Sequence, residues 1–143
     1  MDGIAPEGDT YAMASSAARG ASHRPRVLIV DDDPLIRRVV RAVLEDGSYD
    51  LDEASSGEEA LRVAHGHPPD VVLLDVMMPG LDGFEVAARM KNDALLRDAV
   101  VVMLTAKDTP EDRRRGIESG ADAYFTKPFS PLELLTTISG VLK

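Results

Sequence analysis

Three short aliphatic runs limit what this chain can fold into: Val27-Leu28-Ile29-Val30, Val71-Val72-Leu73-Leu74 and Val100-Val101-Val102-Met103-Leu104. Each is rich in β-branched residues, too short for an ordinary helix, and free of the polar alternation that marks a strand with one wet face. They read as strands buried on both faces, the condition of strands inside a parallel sheet. Parallel neighbours cannot be joined by tight turns, so each strand must be followed by a crossover, usually a helix. The intervening stretches supply that period: Leu35, Ile36, Val39, Val40, Val43 and Leu44 recur at helical spacing, and Phe84, Val86, Ala87 and Met90 repeat a weaker version.

Local punctuation places the remaining elements. Asp33 can cap a helix with Pro34 at its first position, predicted to run to about Asp46 and stop at Gly47. A strand over Tyr49–Glu53 follows, then a capping-box pattern, Ser56-Gly57-Glu58-Glu59, opening a helix to about Ala64. His65 to Pro69 reads as a loop, with both histidines as loop residues. Asp82-Gly83-Phe84-Glu85 resembles a further capped start, its helix ending near Asn92. A helix from about Pro110 to Glu118 stops at Ser119-Gly120, and Ala123–Thr126 forms a last strand that delivers Lys127-Pro128. Ser130, Pro131 and Glu133 start a final helix carrying Leu134, Leu135 and Ile138. Residues 1–25, rich in Ala, Ser and Gly without an apolar period, are expected to be a flexible tail. Residues 26–143 then form one α/β domain, a doubly wound five-stranded parallel sheet with five helices.

Composition narrows the function. No apolar run approaches the ~20 residues that span a bilayer, so no membrane segment is expected. A net charge of -9 argues against a nucleic-acid surface and for proteins and cations as partners. With no cysteine there is no disulfide, thiol nucleophile or thiolate metal site, and a cytoplasmic protein is the default. The tail also lacks the charged start and apolar stretch of a secretory signal.

The chemistry gathers at the strand ends. Asp31-Asp32-Asp33 closes the first strand, Asp75 the third, Thr105 the fourth and Lys127 the fifth. Singly, Asp33 is a helix cap, Asp31 or Asp32 a solvated acid, Asp75 a turn former, Thr105 a hydroxyl bonded to its own loop, and Lys127 a solvated lysine. Together those readings fail, because carboxylates gathered at one sheet edge repel unless a cation lies among them. Oxygen-only donors point to Mg²⁺. Asp32 and Asp75 are then direct ligands, Asp31 acts directly or through water, and the backbone carbonyl of Met77 is a further candidate oxygen. A carboxylate beside Mg²⁺, with a hydroxyl and an ammonium converging on it, suits a phosphoryl group. Asp75 would be its nucleophile, already ionised and needing no general base; Lys127 would offset charge on the transferring oxygens and Thr105 would hydrogen-bond one of them.

These residues carry a resemblance. Val-Asp-Asp-Asp-Pro at 30–34, Leu-Asp-Val-Met-Met-Pro-Gly-Leu-Asp-Gly at 74–83, Leu-Thr-Ala at 104–106 and Lys-Pro-Phe at 127–129 make the chain similar to bacterial response regulator receiver domains over residues 26–143. The resemblance implies the flavodoxin-like strand order 2-1-3-4-5, a cis Lys127–Pro128 bond, and phosphorylation of Asp75 by a sensor histidine kinase or phosphotransfer protein. It further implies that Thr105 is the switch hydroxyl, Tyr124 the switch aromatic, and helix four, strand five and helix five the surface offered to a downstream protein. Such a chain is a phosphoacceptor signalling protein and not an enzyme with an external substrate.

The residues also discriminate among rivals. An aspartate-based phosphohydrolase resembles this site but carries a second acid two residues after its nucleophile, where this chain has Met77. A flavin module would meet three acids in its phosphate loop. Alternatives within the family are a receiver cut from a larger regulator or hybrid kinase, and a receiver that signals without phosphorylation. In the family that the chain resembles, the side chains at the positions of Met77 and Lys107 influence how water reaches the acyl phosphate, so the resemblance with an apolar Met77 implies slow self-dephosphorylation. Arg113-Arg114-Arg115 reads as a solvated helix face near the output surface, with contact to an acidic partner as the alternative.

Overall fold

The computed structural model describes residues 24–142 other than Asp46, so the expected tail lies outside the described residues except for its last two. In chain order it runs β1 (Arg26–Val30), α1 (Pro34–Leu44), β2 (Asp50–Ala54), α2 (Gly57–Gly66), β3 (Val71–Leu74), α3 (Gly83–Lys91), β4 (Val100–Thr105), α4 (Pro110–Ser119), β5 (Ala123–Thr126) and α5 (Pro131–Val141). The five strands form one sheet in the order β2-β1-β3-β4-β5, all neighbours parallel. Every residue of β3 is buried, whereas β2 and β5, at the edges, are mostly half-buried.

Side-chain alternation sorts the core into two layers. Val72 and Leu74 face Ala60, Ala64, Phe84, Ala87 and Met90, from α2 and α3. Val71 and Leu73 face Val40, Leu44, Leu134 and Ile138, from α1 and α5. Truncating a fully buried residue such as Leu73 to alanine would cost about 2–5 kcal/mol, because a sheet covered on both faces cannot collapse into the space left. α4 buries only Gly116, onto which a β-carbon would bring an atom 2.8 Å from the Tyr124 ring. This helix is attached by a close backbone approach and by polar side chains.

Caps explain the helix starts and two boundary corrections. Asp33 caps α1 through the Leu35 N–H, and complete capping boxes open α3 (Asp82, Glu85) and α4 (Thr109, Asp112). At α2 the expected box is half formed: Ser56 accepts from the Glu59 N–H, but the Glu59 carboxylate accepts from the Ser55 N–H and hydroxyl instead. α2 also runs past Ala64 to Gly66, so His65 is a helical residue. Its Nδ1 lies 2.8 Å from the Leu61 carbonyl and its Nε2 2.6 Å from the Asp93 carboxylate. Two acceptors suit a ring with both N–H donors, so the hydrogen bond to Asp93 raises the His65 pKa and ties α2 to the loop after α3. β2 sits one residue later than expected, and α1 ends at Leu44, short of Asp46.

Candidate functional site

Strand order decides which strand ends meet. β1 and β3 are neighbours, Val30 pairs with Leu74, and the Asp75 N–H donates to the Val30 carbonyl at 3.0 Å. Asp31 and Asp75 therefore leave adjacent strands at one level of the carboxyl edge. Carboxylate oxygens of Asp31, Asp32 and Asp75 lie within 4.8 Å of one another. Asp31 and Asp75 are 4% and 5% exposed, while Asp32 stands in solvent. Asp31 is held at both carboxylate oxygens: Oδ1 accepts from the Asp33 N–H at 2.9 Å, and Oδ2 from Lys127 Nζ at 2.7 Å. Asp33 stays outside the cluster as the α1 cap.

β4 and β5 complete the edge. Thr105 is fully buried, and its hydroxyl accepts from the Lys107 N–H at 3.3 Å. Lys127 is joined to Pro128 by a cis bond, as expected, and its Nζ lies 3.4 Å from Asp75 Oδ2 as well as on Asp31. Burial, and then the charge of Asp31, push the Asp75 pKa up; the Lys127 charge, the Met77 N–H and the Thr105 side chain oppose them without cancelling them. Burial works against the Lys127 charge too, but Asp31 and Asp75 outweigh it and raise its pKa. Lys127 stays charged at neutral pH, and the carboxylates remain short of positive charge.

That shortage tests the fit to a metal. Three hard oxygen donors converge, two of them buried, and a protein ammonium already occupies part of the space where a cation is favoured. The cluster is an acidic pocket able to hold a divalent cation. Met77 donates its N–H to Asp75 Oδ1 at 3.2 Å, while its side chain, in a residue 53% exposed, points no acid toward Asp75. It lines an open groove of about 440 Å³ with Phe84, Lys107 and Arg115 among its neighbours.

Tyr124 stands apart from the cluster: its hydroxyl donates to the Lys107 carbonyl at 2.6 Å. The arginine run, expected as one solvated face, divides three ways. Arg113 pairs with Asp108 and packs over the Tyr124 ring at 5.1 Å, Arg114 pairs with Glu111 and Glu118 along its own helix, and Arg115 lies over the Phe84 ring at 4.3 Å. All three remain exposed, as expected of a solvated face, while Arg113 and Arg115 also lay their guanidinium groups over rings of β5 and α3.

Two residues gain a place in the site that spacing alone did not give them. Gly83, read as part of a helix start, sits directly behind the loop that follows Asp75: a β-carbon there would lie 2.5 Å from the Asp75 carbonyl and 2.7 Å from Val76 Cα. Glycine straight after a capping Asp was the available signal. Arg37 reaches back from α1 to donate to the Asp31 carbonyl at 2.6 Å and to Glu53 at 3.0 Å. No local pattern reveals a partner on the edge strand β2.

Comparison with known proteins agrees with this geometry. The family model for the response regulator receiver domain matches residues 27–139. The chain is 44% identical over 117 residues to the phosphate regulon transcriptional regulatory protein PhoB of Pseudomonas aeruginosa, covering 82% of this chain and 51% of that protein. It is 43% identical over 118 residues to the alkaline phosphatase synthesis transcriptional regulatory protein PhoP of Bacillus subtilis, covering 82% and 48%. The chain thus spans about half the length of these relatives. The solved structure of the chemotaxis response regulator CheY4 of Vibrio cholerae superposes with a TM-score of 0.77 at 35% identity, covering 83% of this chain and 99% of that one. Matched in sheet order and along most of its length, the chain belongs to the response regulator receiver domains of two-component signalling.

Proposed function

We propose that Asp75 is the phosphoacceptor of this receiver, with Mg²⁺ held by Asp31, Asp32, Asp75 and the Met77 backbone carbonyl. The observation that carries this reading is the placement of the Lys127 ammonium between two buried carboxylates whose pocket still lacks positive charge. An ionised Asp75 oxygen attacks phosphorus as the P–N bond to the donor's imidazole breaks, and that ring, already protonated on its other nitrogen, leaves as neutral imidazole. Bound Mg²⁺ supplies charge neutralisation for the transferring group. Lys127 moves from its hydrogen bond with Asp31 to an oxygen of the new acyl phosphate, and the Thr105 hydroxyl turns from its loop to another. Withdrawal of Thr105 opens space on the β4 side into which Tyr124 can turn.

The phosphoryl donor is a sensor histidine kinase or phosphotransfer protein, and the recipient of the signal is a protein that reads the α4, β5 and α5 surface. The chain acts on no external substrate and assists only its own phosphorylation and dephosphorylation. We place it in the cytoplasm, where such donors act; among the described residues no helix is long and apolar enough to cross a membrane. The test is labelling by acetyl phosphate with Mg²⁺, expected for the native protein and lost in Asp75→Asn and Asp75→Ala. Undiminished labelling of either variant would remove Asp75 from this role.

A further inference from the structure

We infer that Arg37 is a positioning residue that fixes the Asp31 carboxylate for its cation, an inference that rests on the Mg²⁺ reading of the acidic pocket. Asp31 lies just past the last paired residue of β1. Its N–H still donates to the Ala54 carbonyl of β2 at 3.2 Å, but its carbonyl points beyond the strand ladder and accepts from Arg37 Nη1 at 2.6 Å. The arginine is well placed for this contact. It opens the hydrogen-bond ladder of α1, its N–H donating to the Asp33 carbonyl, and helical side chains lean toward the N-terminus, which sends the guanidinium back to the end of β1.

The guanidinium does not depend on Asp31 alone. Its Nε donates to Glu53 Oε1, and the other oxygen of Glu53 accepts from Arg41 Nε at 2.6 Å. Glu53 is thus anchored to two arginines one helical turn apart, and it holds the Arg37 fork rigid against the edge strand. A planar guanidinium bridging a carbonyl and a carboxylate fixes the distance between β1 and β2 at the level where Asp31 turns into the site.

Phosphorylation makes this tether matter. In the structure Asp31 is restrained at four atoms: its N–H by the Ala54 carbonyl, its carbonyl by Arg37, Oδ1 by the Asp33 N–H and Oδ2 by Lys127. When Lys127 moves to a phosphoryl oxygen, Oδ2 is released to the cation, and the Arg37 tether on the carbonyl joins the Ala54 and Asp33 backbone bonds in keeping the carboxylate aimed. Arg41 shares Glu53 but makes no contact with Asp31; its second hydrogen bond goes to the Leu51 carbonyl at 3.5 Å. It is the internal control for loss of the Glu53 pair without loss of the tether.

The experiment is calorimetric titration of Mg²⁺ into the full chain and its variants, with melting of each metal-free variant measured beside it. Arg37→Ala is expected to raise the Mg²⁺ Kd about tenfold or more, the usual scale for losing a group that orients a metal ligand. Arg37→Lys, which keeps one donor within reach of the Asp31 carbonyl, restores most of the affinity, and Arg41→Ala leaves the Kd near that of the native protein while lowering the melting temperature comparably to Arg37→Ala. Equal Kd values for Arg37→Ala and the native protein overturn the inference and leave the Mg²⁺ reading intact. Equal weakening in Arg37→Ala and Arg41→Ala also overturns it, assigning the effect to Glu53. No Mg²⁺ uptake by the native protein overturns both together.

Discussion

Replacing Asp75 with asparagine should stabilise the metal-free protein even as it removes the proposed phosphoacceptor. At an effective dielectric of about 20, the Lys127 ammonium 3.4 Å from Asp75 attracts it by about 5 kcal/mol, and a carboxylate within 4.8 Å repels it by about 3.5 kcal/mol or more. Asp31 supplies that repulsion, and the solvent-exposed Asp32 adds about 1 kcal/mol. The charges nearly cancel, leaving the cost of burying a carboxylate that is 5% exposed, roughly 1–3 kcal/mol. Asparagine keeps an oxygen for the Met77 N–H without that cost. For a domain of this size the gain corresponds to about 4–12 °C in melting temperature, measured by scanning calorimetry at pH 7 in chelator.

Two conditions should erase the difference. The folded Asp75 pKa lies above its ordinary value of 3.8, so its protonated form is favoured in the folded state. Native stability from this group is therefore full below the unfolded pKa and lost as pH rises through the folded one. The advantage of Asp75→Asn should accordingly be present at pH 7 and shrink as pH falls toward the carboxylate range. Mg²⁺ at about 100 times its Kd adds about 2.7 kcal/mol to the native protein and less to a variant lacking one ligand. A metal-free Asp75→Asn variant that melts at or below the native temperature at pH 7 would refute the account of an electrostatically uncompensated site.

The acyl phosphate should be lost slowly, because Met77 cannot orient water, and Met77→Asn should quicken the loss; disappearance of label from the native protein within seconds would break the argument. Gly83→Ala forces a β-carbon against backbone atoms at 2.5 and 2.7 Å and should destabilise the fold by about 1–3 kcal/mol in urea melts. Gly66→Ala, which meets nothing within 4 Å, is the control, and equal stability of the two variants would contradict the close packing behind Asp75. The His65–Asp93 hydrogen bond raises the His65 pKa above its ordinary 6.5, so its stabilisation is full below about pH 6.5 and lost as pH rises through the higher folded value. Asp93→Asn should lower the His65 midpoint in an NMR titration, and an unchanged midpoint would acquit Asp93 as the cause.

The element order and the identity of most strand-end residues were legible in the sequence, because they follow from local chemistry. A run such as Val71–Leu74 with no polar alternation has to be buried on both faces, and Asp33-Pro34 or Ser130-Pro131 starts a helix wherever it occurs. Residue type then named Asp75, Thr105 and Lys127 as a possible constellation. Tertiary structure decided what touches what. The β1–β3 pairing brings Asp31 beside Asp75, Lys127 arrives across 96 residues of chain, and the exposed Arg113 and Arg115 find the rings of Tyr124 and Phe84 on other elements. Arg37 is the clearest instance: its partner Glu53 lies on another element, and its contact with the Asp31 carbonyl exists only where β1 runs out of ladder. Hydrophobic period and capping act over a few residues and can be read along the chain, whereas the spacing of charges across strand ends is set by sheet register, which the chain specifies only once it has folded.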